Sequence, residues 1–132
     1  MTFKPMLAHT VKKPDAIRFP LLASPKLDGI RCIIRNGEAV TRSLKPVPNG
    51  YIRDALRGLP DLDGELICGS PTATDVFSRS TSAVMSRDGE PEFRFHAFDV
   101  PDETRPFASR LTIAHEIAAD FQCLTPVFHT MI

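Results

Sequence analysis

The sequence has no tryptophan, one tyrosine and three cysteines, and its formal net charge at pH 7 is zero. Cys32, Cys68 and Cys123 are widely separated and form no Cys-x-x-Cys pair, so we expect no zinc site and reduced thiols in a cytoplasmic compartment. No apolar run approaches the ~18 residues of a membrane span, and the first residues lack the apolar segment of a signal peptide. These absences predict a cytoplasmic protein without a membrane-spanning segment.

Lysine is missing from the last two thirds of the chain. The five lysines occur at positions 4, 12, 13, 26 and 45, and every later basic residue is arginine. Because the net charge is zero, overall basicity gives no reason to expect a nucleic-acid partner. A basic surface would have to come from local clustering.

The pattern of apolar and turn residues predicts a single α+β domain. The chain has 132 residues, 42% hydrophobic and 24% charged, and 12 prolines break it into short elements. The expected strands span 29–35, 38–42, 62–68 and 93–100, with one more short strand within 123–132. The expected helices span 51–57, 74–86 and 107–120, the first capped by Asn49 and the last opened by Pro106. Such a series predicts mostly antiparallel sheets with flanking helices.

Asn36-Gly37 between two β-prone runs is the strongest short signal for a hairpin with a type I′ turn. A two-residue loop would pair Arg35 with Glu38 and Arg31 with Arg42. Two arginines that face each other repel, so an anion such as a phosphate between them is one interpretation. The other is that each arginine extends into water or pairs with a nearby acid. The hairpin alone favours neither.

Four short motifs then follow one another in a fixed order. The first is Lys26-Leu27-Asp28-Gly29-Ile30-Arg31, which places an amine, a carboxylate and a guanidinium close together in the chain. The others are Thr41-Arg42-Ser43, Asp63-Gly64-Glu65-Leu66 and Phe95-His96-Ala97-Phe98-Asp99-Val100. Together they resemble motifs I, Ia, III and IIIa of the covalent nucleotidyltransferases, and nearly the whole chain resembles small phage and bacterial ATP-dependent DNA ligases.

The resemblance implies a partial ATP-grasp-like nucleotidyltransferase fold, that of the DNA ligase adenylation domain. It implies a reaction that joins 5′-phosphate and 3′-hydroxyl ends at nicks in double-stranded DNA through a lysyl-AMP intermediate, with ATP and Mg²⁺ as cofactors. Lys26 would be the nucleophile that takes AMP. Glu65 would lie near the metal, and Phe98, or else Phe95, would stack on adenine. The residues implied in nucleotide binding are Lys26, Asp28, Arg31, Arg42, Glu65 and Phe98.

Two later motifs of the family are missing. No Glu-Gly dipeptide of motif IV occurs, and the absence of lysine after Lys45 excludes the Lys-x-Lys of motif V. The resemblance therefore covers residues 1–132 as a partial adenylation domain without the C-terminal OB-fold. We expect weak ATP binding and slow or no self-adenylation by these residues alone, because groups that bind phosphate and metal are absent.

The motifs leave two alternatives open. One is an RNA ligase or an mRNA capping nucleotidyltransferase of the same superfamily. The other is a non-catalytic remnant that binds nucleic acid or a partner through Arg31 and Arg42. The motifs do not indicate an oligomeric state.

Overall fold

The computed structural model describes residues 3–132, and its elements follow the expected α+β order. The lead-in before the first strand contains one short 3-10 turn at Pro14–Ala16. The α-helices are α1 (Gly50–Ala55), α2 (Val76–Met85) and α3 (Phe107–Ala119). The strands are β1 (Leu22–Ala23), β2 (Ile30–Arg35), β3 (Glu38–Thr41), β4 (Leu62–Ile67), β5 (Arg94–Asp99), β6 (Leu124–Pro126) and β7 (Thr130–Met131).

A five-stranded sheet in the order β3-β2-β4-β5-β6 forms the centre of the fold. Its pairs are antiparallel except for β5 with β6, which are parallel. The prediction of mostly antiparallel sheets with flanking helices is confirmed. The C-terminal segment differs from the prediction, because it holds two short strands and the second, β7, pairs with β1 of the lead-in.

The hairpin between β2 and β3 has the turn that its sequence predicts. Asn36 and Gly37 both have positive φ, 52° and 77°, as a type I′ turn requires. Arg35 pairs with Glu38, which confirms the predicted register. Register matters here because a slip by one residue would exchange the two faces of the strand.

The ladder between β2 and β3 ends earlier than predicted. Its last pair is Cys32 with Thr41, and the chain then turns back so that Thr41 N donates to Lys45 O at 2.8 Å. Arg42 therefore lies in a turn beyond the ladder. The predicted cross-strand pair of Arg31 with Arg42 is wrong.

The two faces of the central sheet differ in composition. Alternate residues of β2 and β4 point to one face, where they form a hydrophobic core with Phe95 and Ala97 of β5. Helices α1, α2 and α3 contribute Ile52, Val84 and Ala114 to this core. The opposite face carries most of the charged residues of the strands, and it holds the candidate site.

Gly29 brings the loop before β2 into direct contact with β4. A Cβ atom at this position would overlap Leu66 O and would lie 2.5 Å from Cδ1 of Ile67. Only a residue without a side chain allows the backbone to approach so closely. The placement of Lys26, three residues earlier, depends on this contact.

The Gly29→Ala variant should lose roughly 1–3 kcal/mol of unfolding free energy, because the added methyl group overpacks the contact with Leu66. Gly50→Ala is the matched control, since a Cβ there meets nothing closer than 3.8 Å and alanine favours the helix that begins at Gly50. Urea unfolding of both variants measures the difference. Equal stability of Gly29→Ala and wild type would contradict the close approach.

Candidate functional site

Charged residues of β2 and β4 converge on the sheet face opposite the core. Arg31 of β2 lies directly opposite Glu65 of β4. Asp63, two residues before Glu65, points to the same face because side chains alternate along a strand. One guanidinium and two carboxylates are thereby held on neighbouring, hydrogen-bonded strands.

A β-bulge presents Phe98 on this face. Gly64 of β4 pairs with Ala97 of β5, whereas the preceding residue, Asp63, pairs with Asp99. Strand β5 thus has one extra residue, Phe98, between these pairs, and such an insertion redirects side chains locally. The bulge allows Phe98 and Asp99, although adjacent, to line the same cavity.

The two candidate stacking residues differ in exposure. Phe95 is fully buried in the core, so its ring is not accessible to a ligand. Phe98 is partly exposed, and the guanidinium of Arg31 lies 5.5 Å from the centre of its ring. The alternative that placed Phe95 in the site is wrong.

Arg31 forms a bidentate ion pair with Asp63. Its Nε donates to Oδ1 at 2.6 Å and its Nη2 to Oδ2 at 2.5 Å. Nη2 also donates to Met6 O at 2.9 Å, which ties the lead-in to the sheet. Burial raises the pKa of Asp63, and the hydrogen bonds from Arg31 oppose this rise. Of the two interpretations of the hairpin arginines, the structure supports pairing with an acid for Arg31.

Asp99 is the second buried carboxylate, and its cation comes from helix α3. Arg110 Nε lies 3.0 Å from Asp99 Oδ1, with only 17% and 6% of the two side chains exposed. The contact is one of charge, because Arg110 Nε is not aligned for a hydrogen bond. Burial raises the pKa of Asp99, and the charge of Arg110 opposes this rise. Since Asp63 and Asp99 are cross-strand partners, two arginines neutralise two adjacent carboxylates.

Glu65 holds the loop that carries Lys26. Its Oε2 accepts a hydrogen bond from the backbone N–H of Gly29 at 3.1 Å. Burial raises the pKa of Glu65, whereas the Gly29 N–H and the charges of Arg31 and Lys26 lower it. The carboxylate is therefore a structural acceptor for the loop as well as a candidate ligand contact.

A cavity of about 560 Å³ collects five of the six predicted site residues, and we call it the Lys26 cavity. Its charged lining consists of three basic and two acidic side chains. The wall is formed by residues of the lead-in, the loop before β2, the bulge of β5 and the C-terminal segment. The full lining is Met6, Leu7, Ala8, Ser24, Pro25, Lys26, Leu27, Arg31, Arg42, Glu65, Phe98, Asp99, Phe107, Val127 and His129.

Asp28 is the predicted site residue that does not line the Lys26 cavity. Its side chain is exposed on the loop between Lys26 and β2. Its role in arranging that loop stays a prediction.

A second cleft, of about 800 Å³, adjoins the Lys26 cavity and shares Arg31, Arg42 and Glu65 with it. The end of β3 adds Thr41 to the lining, and the turn after β3 adds Ser43 and Lys45. Within residues 3–132, Arg42 forms no salt bridge. We call this second cleft the Arg42 cleft. It offers cationic groups and hydroxyl groups that suit phosphate oxygens.

A third cavity, of about 850 Å³, has the opposite charge. Five acidic side chains and three basic ones line it. Carboxylates repel a triphosphate, so this acidic cavity is a poor nucleotide site despite its larger volume. Its acidic residues are Asp61, Asp63, Asp99, Asp102 and Glu103.

The part of the chain that the structure describes contains no group of three or more metal-ligating side chains arranged around one point. Mg²⁺ in nucleotide sites often uses one or two carboxylates together with phosphate oxygens and water. Glu65, half-buried in the Lys26 cavity, fits such a partial site. No helix in residues 3–132 has the length and apolar character of a membrane span.

Four residues of this region had no assigned role from the sequence: Asp63, Asp99, Arg110 and His129. The motifs contain Asp63 and Asp99, but their burial follows only from the pairing of β4 with β5. Arg110 lies outside every motif, and no local pattern indicates that it reaches Asp99. His129 has no metal-ligand spacing, and its position depends on the fold of the C-terminal segment.

Comparison with solved structures shows which proteins share this fold. The structure of Chlorella virus DNA ligase-adenylate matches with a TM-score of 0.79 and 30% sequence identity, over 98% of this chain and 51% of that chain. The chain is an ATP-dependent DNA ligase-like domain. Lig E DNA ligases, described as binding DNA with a minimal scaffold, match with a TM-score of 0.67 and 26% identity, over 84% and 44% of the two chains. No protein-family model and no curated protein matches.

The similarity confirms the predicted nucleotidyltransferase-type fold and the predicted resemblance to DNA ligases. The domain spans about half the length of Chlorella virus DNA ligase-adenylate. A second crystal structure of that ligase-adenylate matches over 98% of this chain and 50% of its own. The structural similarity therefore extends over almost the whole of this chain.

The Asp63→Asn variant should lose roughly 3 kcal/mol of unfolding free energy, because it leaves the buried guanidinium of Arg31 without its anion. Asp75→Asn is the matched control. It breaks an ion pair of the same type with Arg79, at 2.8 Å, but both side chains are about half exposed, so we expect a loss of only about 0–1 kcal/mol. Urea unfolding measures both, and equal losses would contradict a structural role for the buried pair.

Proposed function

We propose that the domain binds ATP in the Lys26 cavity and that Lys26 accepts AMP as the first step of DNA ligation. The observation that supports this most directly is the gathering of Lys26, Arg42, Glu65 and Phe98 around one cavity. These residues come from separate segments of the chain. An amine, a free guanidinium, a carboxylate and an aromatic ring are the groups that a nucleotide and its transfer require.

In the proposed reaction, the uncharged amine of Lys26 attacks the α-phosphorus of ATP. A P–N bond forms, the bond to the bridging oxygen breaks, and pyrophosphate leaves with the electron pair. The amine gives up one proton to solvent water as the phosphoramidate forms. Arg42 stabilises charge on the phosphate, while Glu65 accepts hydrogen bonds from the ribose hydroxyls and Phe98 stacks on adenine.

Glu65 would also hold Mg²⁺ together with phosphate oxygens. The ion would neutralise charge on the triphosphate and on the departing pyrophosphate. Asp28 would help to arrange the loop that carries Lys26. Arg31, bound to Asp63, acts by orientation: it supports the ring of Phe98 and connects the lead-in to the site.

We further propose that the Arg42 cleft binds the 5′-phosphate end of nicked double-stranded DNA. Arg42 and Lys45 supply the charge, and the cleft adjoins the Lys26 cavity through shared residues. This adjacency would let AMP pass from Lys26 to the DNA phosphate, after which a 3′-hydroxyl displaces AMP. We propose a cytoplasmic location and a role in the repair, replication or recombination of DNA.

Residues 1–132 would form the nucleotide-binding part of an adenylation domain. The sequence lacks the motif IV carboxylate and the motif V lysines, which would be needed for the full rate of AMP transfer. The domain by itself is therefore expected to transfer AMP slowly.

Intact-mass measurement after long incubation with ATP and Mg²⁺ should show a minor AMP adduct. The Lys26→Ala variant should lose it, because no other amine of residues 3–132 lines the cavity. Lys4→Ala, which changes an exposed lysine of the acidic cavity, should keep it. An adduct that persists in Lys26→Ala would contradict the assignment, and rapid stoichiometric transfer would contradict the expected slowness. A preference for GTP would favour a capping-type enzyme.

Binding to nicked DNA should weaken in both Arg42→Ala and Lys45→Ala, and the slope of log affinity against log salt should fall by roughly one in each. Arg79→Ala, on helix α2 and paired with Asp75, is the control and should change neither quantity. Fluorescence anisotropy at several salt concentrations measures both. Unchanged affinity in the two cleft variants would refute this DNA site, and DNA binding without any AMP adduct would indicate a non-catalytic remnant.

A further inference from the structure

His129 is the single histidine among the residues that line the Lys26 cavity. The proposed reaction gives it no part. It follows the strand β6, which runs parallel to β5 and pairs with it up to Ala97, the residue before Phe98. The end of β6 therefore delivers the C-terminal segment to the same place where the bulge presents Phe98.

Two contacts fix the ring of His129. Its Nδ1 lies 3.0 Å from Val127 O, and the Val127 N–H in turn donates to Ala97 O at 2.8 Å. The ring packs edge-on against Phe107 of helix α3, with 5.4 Å between ring centres and an interplanar angle of 62°. Phe107 also lines the cavity. His129 is thus connected to strand β5 and to α3 rather than extending freely into solvent.

The contact with Val127 determines the tautomer of His129. A carbonyl oxygen only accepts hydrogen bonds, so Nδ1 must carry the hydrogen. In the neutral ring this leaves a lone pair on Nε2, which is an acceptor. Within residues 3–132, Nε2 of His129 has no hydrogen-bond partner.

We propose that Nε2 of His129 accepts a hydrogen bond from the 6-amino group of adenine, and that this contact makes the site prefer ATP to GTP. The inference rests on the proposed function, since it requires the purine to lie in the Lys26 cavity against Phe98. Guanine presents a carbonyl oxygen at the same ring position, and two acceptors repel. A site that hydrogen-bonds an amino group rejects an analogue without one, because its own acceptor is then left unpaired.

The test compares the affinities of ATP, GTP and purine riboside 5′-triphosphate, which lacks the 6-amino group, by NMR titration. Wild type should bind ATP roughly fivefold more tightly than purine riboside triphosphate, the value of one hydrogen bond. The preference over GTP should be larger. In His129→Leu both preferences should fall to about one, and His129→Gln, whose amide oxygen can accept, should restore part of them.

His115→Leu is the matched control. His115 Nε2 contacts the same Val127 O at 3.0 Å, but this histidine does not line the cavity. Its variant should keep the wild-type preferences. The assignment is wrong if wild type binds ATP and purine riboside triphosphate equally tightly, or if His129→Leu leaves the preferences unchanged. The first of these comparisons uses only wild-type protein, so it holds even if the variants are unstable.

The result also separates this inference from the proposed function. If ATP binds and Phe98→Ala weakens it while His129→Leu leaves the preferences unchanged, only the role of His129 is wrong. If ATP does not bind, or if binding is insensitive to Phe98→Ala, the nucleotide site itself is wrong and the inference fails with it.

Discussion

Two buried carboxylates, Asp63 and Asp99, face each other across the central strands, and the candidate site depends on how they are neutralised. Adjacent buried carboxylates repel, and burial alone would favour their protonated forms. Arg31 from β2 binds one and Arg110 from α3 contacts the other. The four charges connect β2, β4, β5 and helix α3, and they add side-chain ion pairs to the backbone ladders between the three strands.

This arrangement has a consequence for the roles of the site residues. Arg31 is paired with Asp63, and its guanidinium also contacts Met6 of the lead-in and lies beside the ring of Phe98. Arg42, in the turn beyond β3, has no such partner in the described part of the chain. The two arginines therefore have different surroundings, although the hairpin pattern predicts the same position for both.

A backbone contact and a hydrogen bond to a carboxylate together hold the loop that carries Lys26. Gly29 packs against the backbone of β4, and Glu65 accepts from its N–H, so the loop is held at two neighbouring points. Lys26 is exposed at the end of that loop, at the wall of a cavity whose other walls belong to β5 and the C-terminal segment. The side chain of Lys26 is exposed, whereas the backbone of its loop is held by the contacts of Gly29.

Short sequence patterns correctly predicted the hairpin turn and the helix cap, because these features depend on neighbouring residues in the chain. Asn36-Gly37 gave the turn type and register of the hairpin, and Asn49 caps α1 through Ile52 N as expected. The choice between Phe95 and Phe98 needed the bulge opposite Asp63, which no periodicity reveals. The partners of Arg31 and Asp99 lie 32 and 11 residues away in the chain, and such contacts follow only from the packed fold.

An amide NMR titration of the domain with ATP tests most directly whether ATP occupies the Lys26 cavity. We predict that the largest chemical-shift changes occur in the loop of Lys26 to Gly29, at the bulge of Phe98 and at His129. Binding in the Lys26 cavity would be contradicted if the changes were concentrated at Asp61, Asp102 and Glu103 of the acidic cavity. It would also be contradicted if saturating nucleotide caused no changes.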